Sequence, residues 1–420
     1  MKDYKPSNFA CLVGVDWADK KHDFCETTPT GENPAYGVIS SKPESIHDWV
    51  MSYKKRFPNQ KIAISCELTK GPLVYALLKY DHITIFSINP SSVAQYRKAF
   101  THSGAKDDPS DALIQVEILH LHMHKLRVVE PDCPQVRILG QLVESRRKLV
   151  QDRVDLSNRM TSTLKAYYPQ ALDWFTEKDT VLFCEFIRKW PSLSLAKKAR
   201  KQTLQNFFTK NNVRHQHIID KRISSIKSDI ALTEDEGVII PNQLIVECLV
   251  DQLQTLITSI DRLDKEIAKR YKAEKDQFIF DSLPGAGPQM GPRLLVAFGK
   301  DRSRYESAAD LQKYAGIAPV IERSGKKSWT HWRYSCPKFL RQTFVEWAGQ
   351  TVRYSYWAKA YYDQQIEKGK PHNTAIRSLA FKWIRIVFKC WQTRTAYDET
   401  KYLEALQLRG SPLLAYAANR

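Results

Sequence analysis

Four acids stand at positions from which one fold could bring them together. Asp16 interrupts the apolar run "CLVGVDWA" (residues 11–18), and Glu67 closes the apolar run "KIAISCE" (61–67). Asp108 and Asp111 stand three apart in "GAKDDPSDALIQVEILHLH" (104–122). Four carboxylates brought to one point repel one another and take up protons unless a cation neutralises them. All-oxygen donors of this kind suit magnesium or manganese, which orient a phosphodiester and activate an attacking oxygen. Singly, each acid has an ordinary explanation: Asp16 a turn residue, Glu67 a helix-start charge, Asp108 a cap, Asp111 a solvated first-turn acid. A second candidate for chemistry is Ser324, which precedes Gly325 and is flanked by Arg323, Lys326 and Lys327 in "IERSGKKSWTHWRYSCPKFLRQTF" (321–344). That setting could hold a phosphate and stabilise an attacking alkoxide, although Ser-Gly is also an ordinary turn.

The elements around the acids decide whether they can meet. Residues 11–18, 22–28 and 36–40 read as three strands joined by short turns through Lys20 and Lys21 and through Gly31 and Pro34. A helix over 42–57 follows, with Pro43 near its start and Ile46, Trp49, Val50 and Tyr53 on one face. A strand over 61–67, a helix over 71–80 and a strand over 83–90 complete the order β-β-β-α-β-α-β-α. This matches the ribonuclease H or RuvC-like arrangement, in which the strands carrying Asp16 and Glu67 lie side by side. Pro109 suits a first helical position and Asp108 an N-cap, so both later acids can point back at the strand ends.

Composition bounds the partners. The chain has 420 residues, 43% of them hydrophobic, enough for two or three domains with cores of their own. Lys and Arg number 64 against 46 Asp and Glu, a net charge of +18 spread along the chain, which favours a polyanion such as nucleic acid. Neither an apolar run of about 18 residues nor the apolar core of a signal peptide is present, so a cytoplasmic protein without a membrane partner is expected. Eight cysteines without a C-x-x-C pair point to reduced core thiols, not a zinc site or a disulfide framework. His120 and His124 would share a helix face, but packing suits them better than zinc.

The middle reads as helical scaffold. Leu249, Leu253, Leu256, Ile260, Leu263 and Ile267 recur at spacings of four and three, the seam of a coiled coil. Leu142, Leu149 and Leu156 stand seven apart in an earlier helix, with Val143, Val150 and Met160 alongside. The two could pair within one chain or between chains. Between them, residues 192–222 are basic and helical with Asn breaks, either a solvated face or a nucleic-acid contact. Further on, "LPGAG" suits a helix-to-helix turn whose glycines bring backbone N–H groups near a phosphate. Residues 372–391 read as a core helix with basic residues outward.

The acid pattern Asp16, Glu67 and "KDDPSDA" (106–112) resembles the DEDD signature of the insertion-sequence transposases of the one-hundred-ten group, to which the Piv DNA invertase belongs. "SLPGAGPQMGPRLLVAFG" (282–299), "YESAADLQKYAGIAPV" (305–320) and "ERSGKKS" (322–328) resemble the same group in order and spacing. Two departures stand out: Asp107 replaces the usual Thr of the acidic motif, and "SCPKFLR" (335–341) lacks the group's Gly before "LR".

The resemblance implies an α/β N-terminal RuvC-like (ribonuclease H-like) DEDD metal domain over 1–128. A helical coiled-coil region would span 129–275 with a basic insertion near 171–241, followed by a mostly α C-terminal transposase domain over 276–398 and a tail over 399–420. It implies a DNA recombinase in which Asp16, Glu67, Asp108 and Asp111 bind Mg2+ or Mn2+ and Ser324 is the nucleophile that joins covalently to DNA. Arg323, Lys326, Lys327, Arg333, Lys338 and Arg341 would contact nucleic acid. It implies double-stranded DNA as partner, a structured bridge RNA as guide, a homo-oligomer (dimer or tetramer) formed through the coiled coil, and nucleoid association in a prokaryotic cytoplasm. A water-using RuvC-like nuclease would need the acids and not Ser324; a non-catalytic RNA-binding protein would need neither.

Overall fold

The computed structural model describes residues 4–100 and 108–413. Two units, Met1–Pro131 and Asp132–Arg420, have separate cores.

In the first unit, β1 (Cys11–Trp17), β2 (Lys21–Thr27) and β3 (Ala35–Ser40) form an antiparallel meander. Helix α1 (Pro43–Arg56) leads to β4 (Ile62–Cys66), which pairs parallel with β1. Helix α2 (Pro72–Leu77) leads to β5 (Ile83–Ser87), parallel to β4. Helices α3 (Pro90–Phe100) and α4 (Asp108–His122) follow, and β6 (Arg127–Val128) closes a sheet of order β3-β2-β1-β4-β5-β6. The apolar runs of β1 and β4 are continuous because both faces are covered. Cys11, Val13, Val15, Ile62, Ile64 and Cys66 pack with α1 and α2, while Leu12 and Ala63 pack with Ala112, Val116 and Leu119 of α4. The strand-helix order is the one read from the sequence; α3 and β6 were not anticipated. Helix α4 stops at His122 and gives way to a tighter turn over Met123–Lys125, so His120 and His124 do not share a helical face, contrary to expectation. His120 instead lies against Gly31.

Among the described residues, the second unit is helical apart from one hairpin. Helices α5 (Pro134–Tyr167) and α11 (Glu236–Lys272) pack along each other within the chain. Leu249, Leu253, Ile260 and Ile267 of the expected seam are buried, whereas Leu142, Leu149 and Leu156 are only half-buried. Between the long helices, α6 (Gln170–Trp174), α7 (Val181–Lys189), α8 (Leu193–Lys198), α9 (Lys201–Lys210) and α10 (Gln216–Ser228) enclose an aromatic core of Trp174, Phe175, Phe183, Phe186, Phe207 and Phe208. The Asn break falls between α9 and α10, where Asn212 takes φ +60. Beyond α11 come α12 (Gln277–Asp281), α13 (Gly287–Phe298), α14 (Ala308–Tyr314), the strands β7 (Val320–Ser324) and β8 (Lys327–His331), then α15 (Lys338–Tyr354), α16 (Tyr356–Glu367), α17 (His372–Thr393) and α18 (Glu399–Leu408). Trp347, Trp357, Trp383 and Trp391 centre this core. The "LPGAG" turn is built into it: Gly285 has φ +67 and a Cβ there would press on Gln350 and Tyr354, while the Trp347 indole donates to the Pro284 carbonyl at 3.0 Å. Helix α18, in the stretch read as a tail, packs Tyr402, Leu403 and Leu406 on the same core.

Candidate functional site

Register brings two acids together. Val15 of β1 stands opposite Cys66 of β4 in parallel pairing, so Asp16, still within β1, and Glu67, the first residue after β4, follow at the same end of the two strands. Side chains alternate across a strand. Asp16 therefore shares the face of Leu12 and Gly14, the face that α4 covers. Asp23 stands directly opposite Asp16 on β2, is buried, and pairs with Lys21 at 3.0 Å. This fifth acid was missed in the sequence, where "KHDF" reads as a turn and a strand start. Beside it, the buried His22 accepts from the Ala18 amide on Nδ1 at 3.4 Å, and burial lowers its pKa, so the neutral ring closes the turn after Asp16.

Helix α4 brings Asp111 to the same face. Ser65 of β4 donates to the Val13 carbonyl at 3.3 Å and to the Gln115 carbonyl at 3.0 Å, tying the helix to both acid-bearing strands. Asp111 lies one turn before Gln115, is 4% exposed, and forms an ion pair with Arg97 of α3. Asp108 begins α4; its side chain and proposed cap lie outside the described residues, as do positions 104–107 of the motif. Among the described residues, no three His, Cys, Asp or Glu side chains are gathered as a metal-holding group. Asp111 is turned to Arg97 instead. Oxygen donors of this type suit a hard divalent ion, and the most enclosed of them, Asp111, has its charge met by Arg97.

Ser324 occupies the tip of the β7–β8 hairpin, where Gly325 takes φ +56 as the first residue of a two-residue turn and faces open space. Its cross-strand partner is Lys327; Arg323 faces Ser328. Ser324, Arg323, Lys326 and Lys327 are all exposed. Glu322 and His331 share the Ser324 face, and the His331 Nε2 donates to Glu322 at 2.5 Å while Nδ1 donates to the Trp332 carbonyl at 2.9 Å. An acceptor facing each nitrogen favours the protonated ring and raises its pKa, the Trp332 carbonyl contributing most.

Behind the hairpin lie three guanidinium groups. Arg341 donates to the carbonyls of Arg333 at 2.5 Å and Tyr334 at 3.0 Å and to Cys336 Sγ at 2.6 Å, holding the loop that lacks the glycine. Arg377 of α17 stacks on Trp332. Burial, then the charge of Arg341, lowers its pKa to about 10. Buried N–H groups of Arg333, Arg341 and Arg377 have no acceptor among the described residues. Arg377 was expected to point outward with the other basic residues of its helix; it is half-buried here. Lys338 begins α15 and is exposed.

An acid-bearing sheet edge in one unit and a basic serine hairpin in the other match known family patterns in the same order. Residues 13–169 match the DEDD transposase model of the IS110 group, and residues 278–363 match a second model, described as transposase of the IS116/IS110/IS902 family. A protein of Streptomyces coelicolor described as a mini-circle transposase for IS117 is 30% identical over 419 residues, covering 97% of this chain and 98% of the relative. The chain belongs to the IS116/IS110/IS902 family of transposases. The 44.8 kDa protein of insertion element IS116 from Streptomyces clavuligerus is 25% identical over 385 residues, covering 90% of this chain and 93% of its own. The 43.6 kDa protein of insertion element IS110 from Streptomyces coelicolor is 24% identical over 311 residues, covering 70% and 72%. As a transposase, the protein is an enzyme, and the DEDD domain type is one that depends generally on divalent metal. Among the described residues no helix is long and apolar enough to cross a membrane.

Proposed function

We propose that this transposase cuts and rejoins double-stranded DNA through a covalent bond to Ser324, with Asp16, Glu67, Asp108 and Asp111 holding Mg2+ or Mn2+. The observation that carries this reading is the common strand end at which Asp16 and Glu67 follow the paired Val15 and Cys66, with α4, which carries Asp111, held over the Asp16 face by Ser65. When bound, the divalent ion would supply charge neutralisation at the phosphodiester and acidity at the attacking oxygen. Arg97 balances the charge of Asp111 in its buried position. Lys327, opposite Ser324, sets a cation beside the hydroxyl, and Arg323 and Lys326 add charge for the phosphate. In the first step the Ser324 Oγ–P bond forms as the bond from phosphorus to the departing deoxyribose oxygen breaks. The serine gives up its proton and the departing oxygen gains one. Attack by a hydroxyl of the acceptor strand reverses the exchange and releases Ser324, so phosphodiester energy is kept without hydrolysis.

The same reading assigns residues 1–128 to the metal domain, 129–275 to the helical region and 276–398 to the serine-bearing domain. The net charge of +18 without a base-reading motif supports a structured guide RNA that supplies sequence choice by pairing. The half-buried Leu142, Leu149 and Leu156 leave apolar surface for a second copy along α5. The protein would work in the cytoplasm at the nucleoid. The test is plasmid excision with the element's ends. Asp16→Ala, Glu67→Ala and Asp111→Ala should each abolish recombination while the fold persists by circular dichroism; wild-type rates in any of them would refute the metal site.

A further inference from the structure

Helices α5, α11, α13 and α15 of the second unit surround a cavity of about 240 Å³. Its wall carries Arg146, Arg147 and Arg293 together with the amides of Gln151, Gln289 and Gln342. Two of the three guanidinium groups have acids. Arg146 donates to both oxygens of Asp264 at 2.8 and 3.2 Å, and Arg293 donates to Glu346 at 2.6 Å and to Thr343 Oγ1 at 3.2 Å. Arg147 differs: it donates to Gln342 Oε1 at 2.9 Å and, among the described residues, has no carboxylate within ion-pair distance. Arg147 Nε and Arg293 Nη2 are also buried without an acceptor among the described residues.

A guanidinium does not lose its proton, so this charge cannot be relieved by titration. Native structures rarely bury N–H groups without a partner, and such groups mark an unfilled requirement. Water could accept a hydrogen bond here but would leave the excess charge. A tetrahedral oxyanion supplies both the acceptors and the charge, and guanidinium forks match its geometry.

We propose that this cavity binds a phosphate group, with Arg147 as its principal ligand and Arg293 as its second. The residues involved are distinct from the serine hairpin and its arginines. The consequence for the fold follows from Gln342 and Glu346, which belong to α15, the helix that also carries the loop-holding Arg341. A bound phosphate ties α5 and α13 to the start of that helix.

The phosphate could be a free ion or part of a nucleic-acid backbone, and the experiment separates the two. Inorganic phosphate is titrated into the full-length protein at constant ionic strength, read by 31P line broadening and thermal melting, with and without a short DNA duplex. Wild type should show saturable binding that Arg147→Gln weakens at least about tenfold and Arg147→Lys less, while Lys265→Gln on the exposed side of α11 binds as wild type. Competition by the duplex assigns the site to backbone phosphate; undiminished phosphate binding with duplex present assigns it to the free ion. If Arg147→Gln fails to fold, wild type and Arg147→Lys still decide. Absence of saturable phosphate binding to wild type, or an Arg147 variant that binds as wild type, overturns the proposal.

Discussion

Gly14 lies directly beneath Ala112: a Cβ at Gly14 would come within 2.6 Å of the Val116 amide nitrogen and closer still to the Ala112 carbonyl oxygen. Only a residue without a side chain lets the acid-bearing helix rest on the acid-bearing strand. Both clashing atoms are backbone, so no rotamer change relieves them.

Gly14→Ala should therefore lift α4 from β1 and carry Asp111 away from Asp16 and Glu67. Overpacking of this kind costs about 1–3 kcal/mol, and recombination should fall further than that loss of stability explains. Denaturant unfolding alongside plasmid excision checks both. A variant with wild-type stability and activity would mean that the helix seat is not what positions the acids.

Arg97 and Asp111 form a buried ion pair at this end of the sheet, with side chains 15% and 6% exposed. Removing one partner of such a buried pair costs about 3–5 kcal/mol because the other charge is stranded. Arg97→Ala should lose about 3 kcal/mol without metal, and added Mn2+ should raise its melting temperature more than that of wild type, since the carboxylate is then released to the ion. Equal shifts in the two proteins would argue that Asp111 does not ligate metal.

His331 provides a reporter of the serine hairpin. Its folded pKa is raised, so the contribution of its paired, protonated ring is complete below the ordinary histidine range and is lost as pH rises through the raised value. NMR titration of the imidazole should give a midpoint above that of a free histidine, and Glu322→Gln should lower it. A midpoint at or below the free value would show that the bonds to Trp332 and Glu322 do not persist in solution.

Much of the acid edge was legible because β1 and β4 announce burial on both faces, and a carboxylate at the end of such a run has few ordinary uses. The position of Arg97 was not. Helix α3 buries only Val93, so its apolar periodicity is too weak to mark a helix, and nothing in "SSVAQYRKAF" singles out the arginine that meets Asp111. Arg377 was hidden for a different reason. It lies on a strongly amphipathic helix where a basic residue off the core stripe reads as solvated, and only the path of the chain beyond β8 brings Trp332 over it. Asp23 was obscured by its neighbour Lys21, which makes the pair look like an exposed turn, while cross-strand register alone places it opposite Asp16. The half-buried leucines of α5 likewise show that a heptad can be read in sequence without revealing which helix, or which copy of the chain, covers it.

The most direct test of the covalent reaction is to trap it. Protein, the element's flanking transcript, magnesium and labelled target DNA are incubated, denatured and resolved by gel, and any labelled adduct is mapped by mass spectrometry. The expected result is an adduct on Ser324 that vanishes in Ser324→Ala while DNA and RNA binding persist, because one hydroxyl contributes little to a polyelectrolyte interface. An adduct that survives in Ser324→Ala, one that maps to Ser328, Ser335 or a tyrosine, or DNA cleavage with no adduct in any form would contradict the account.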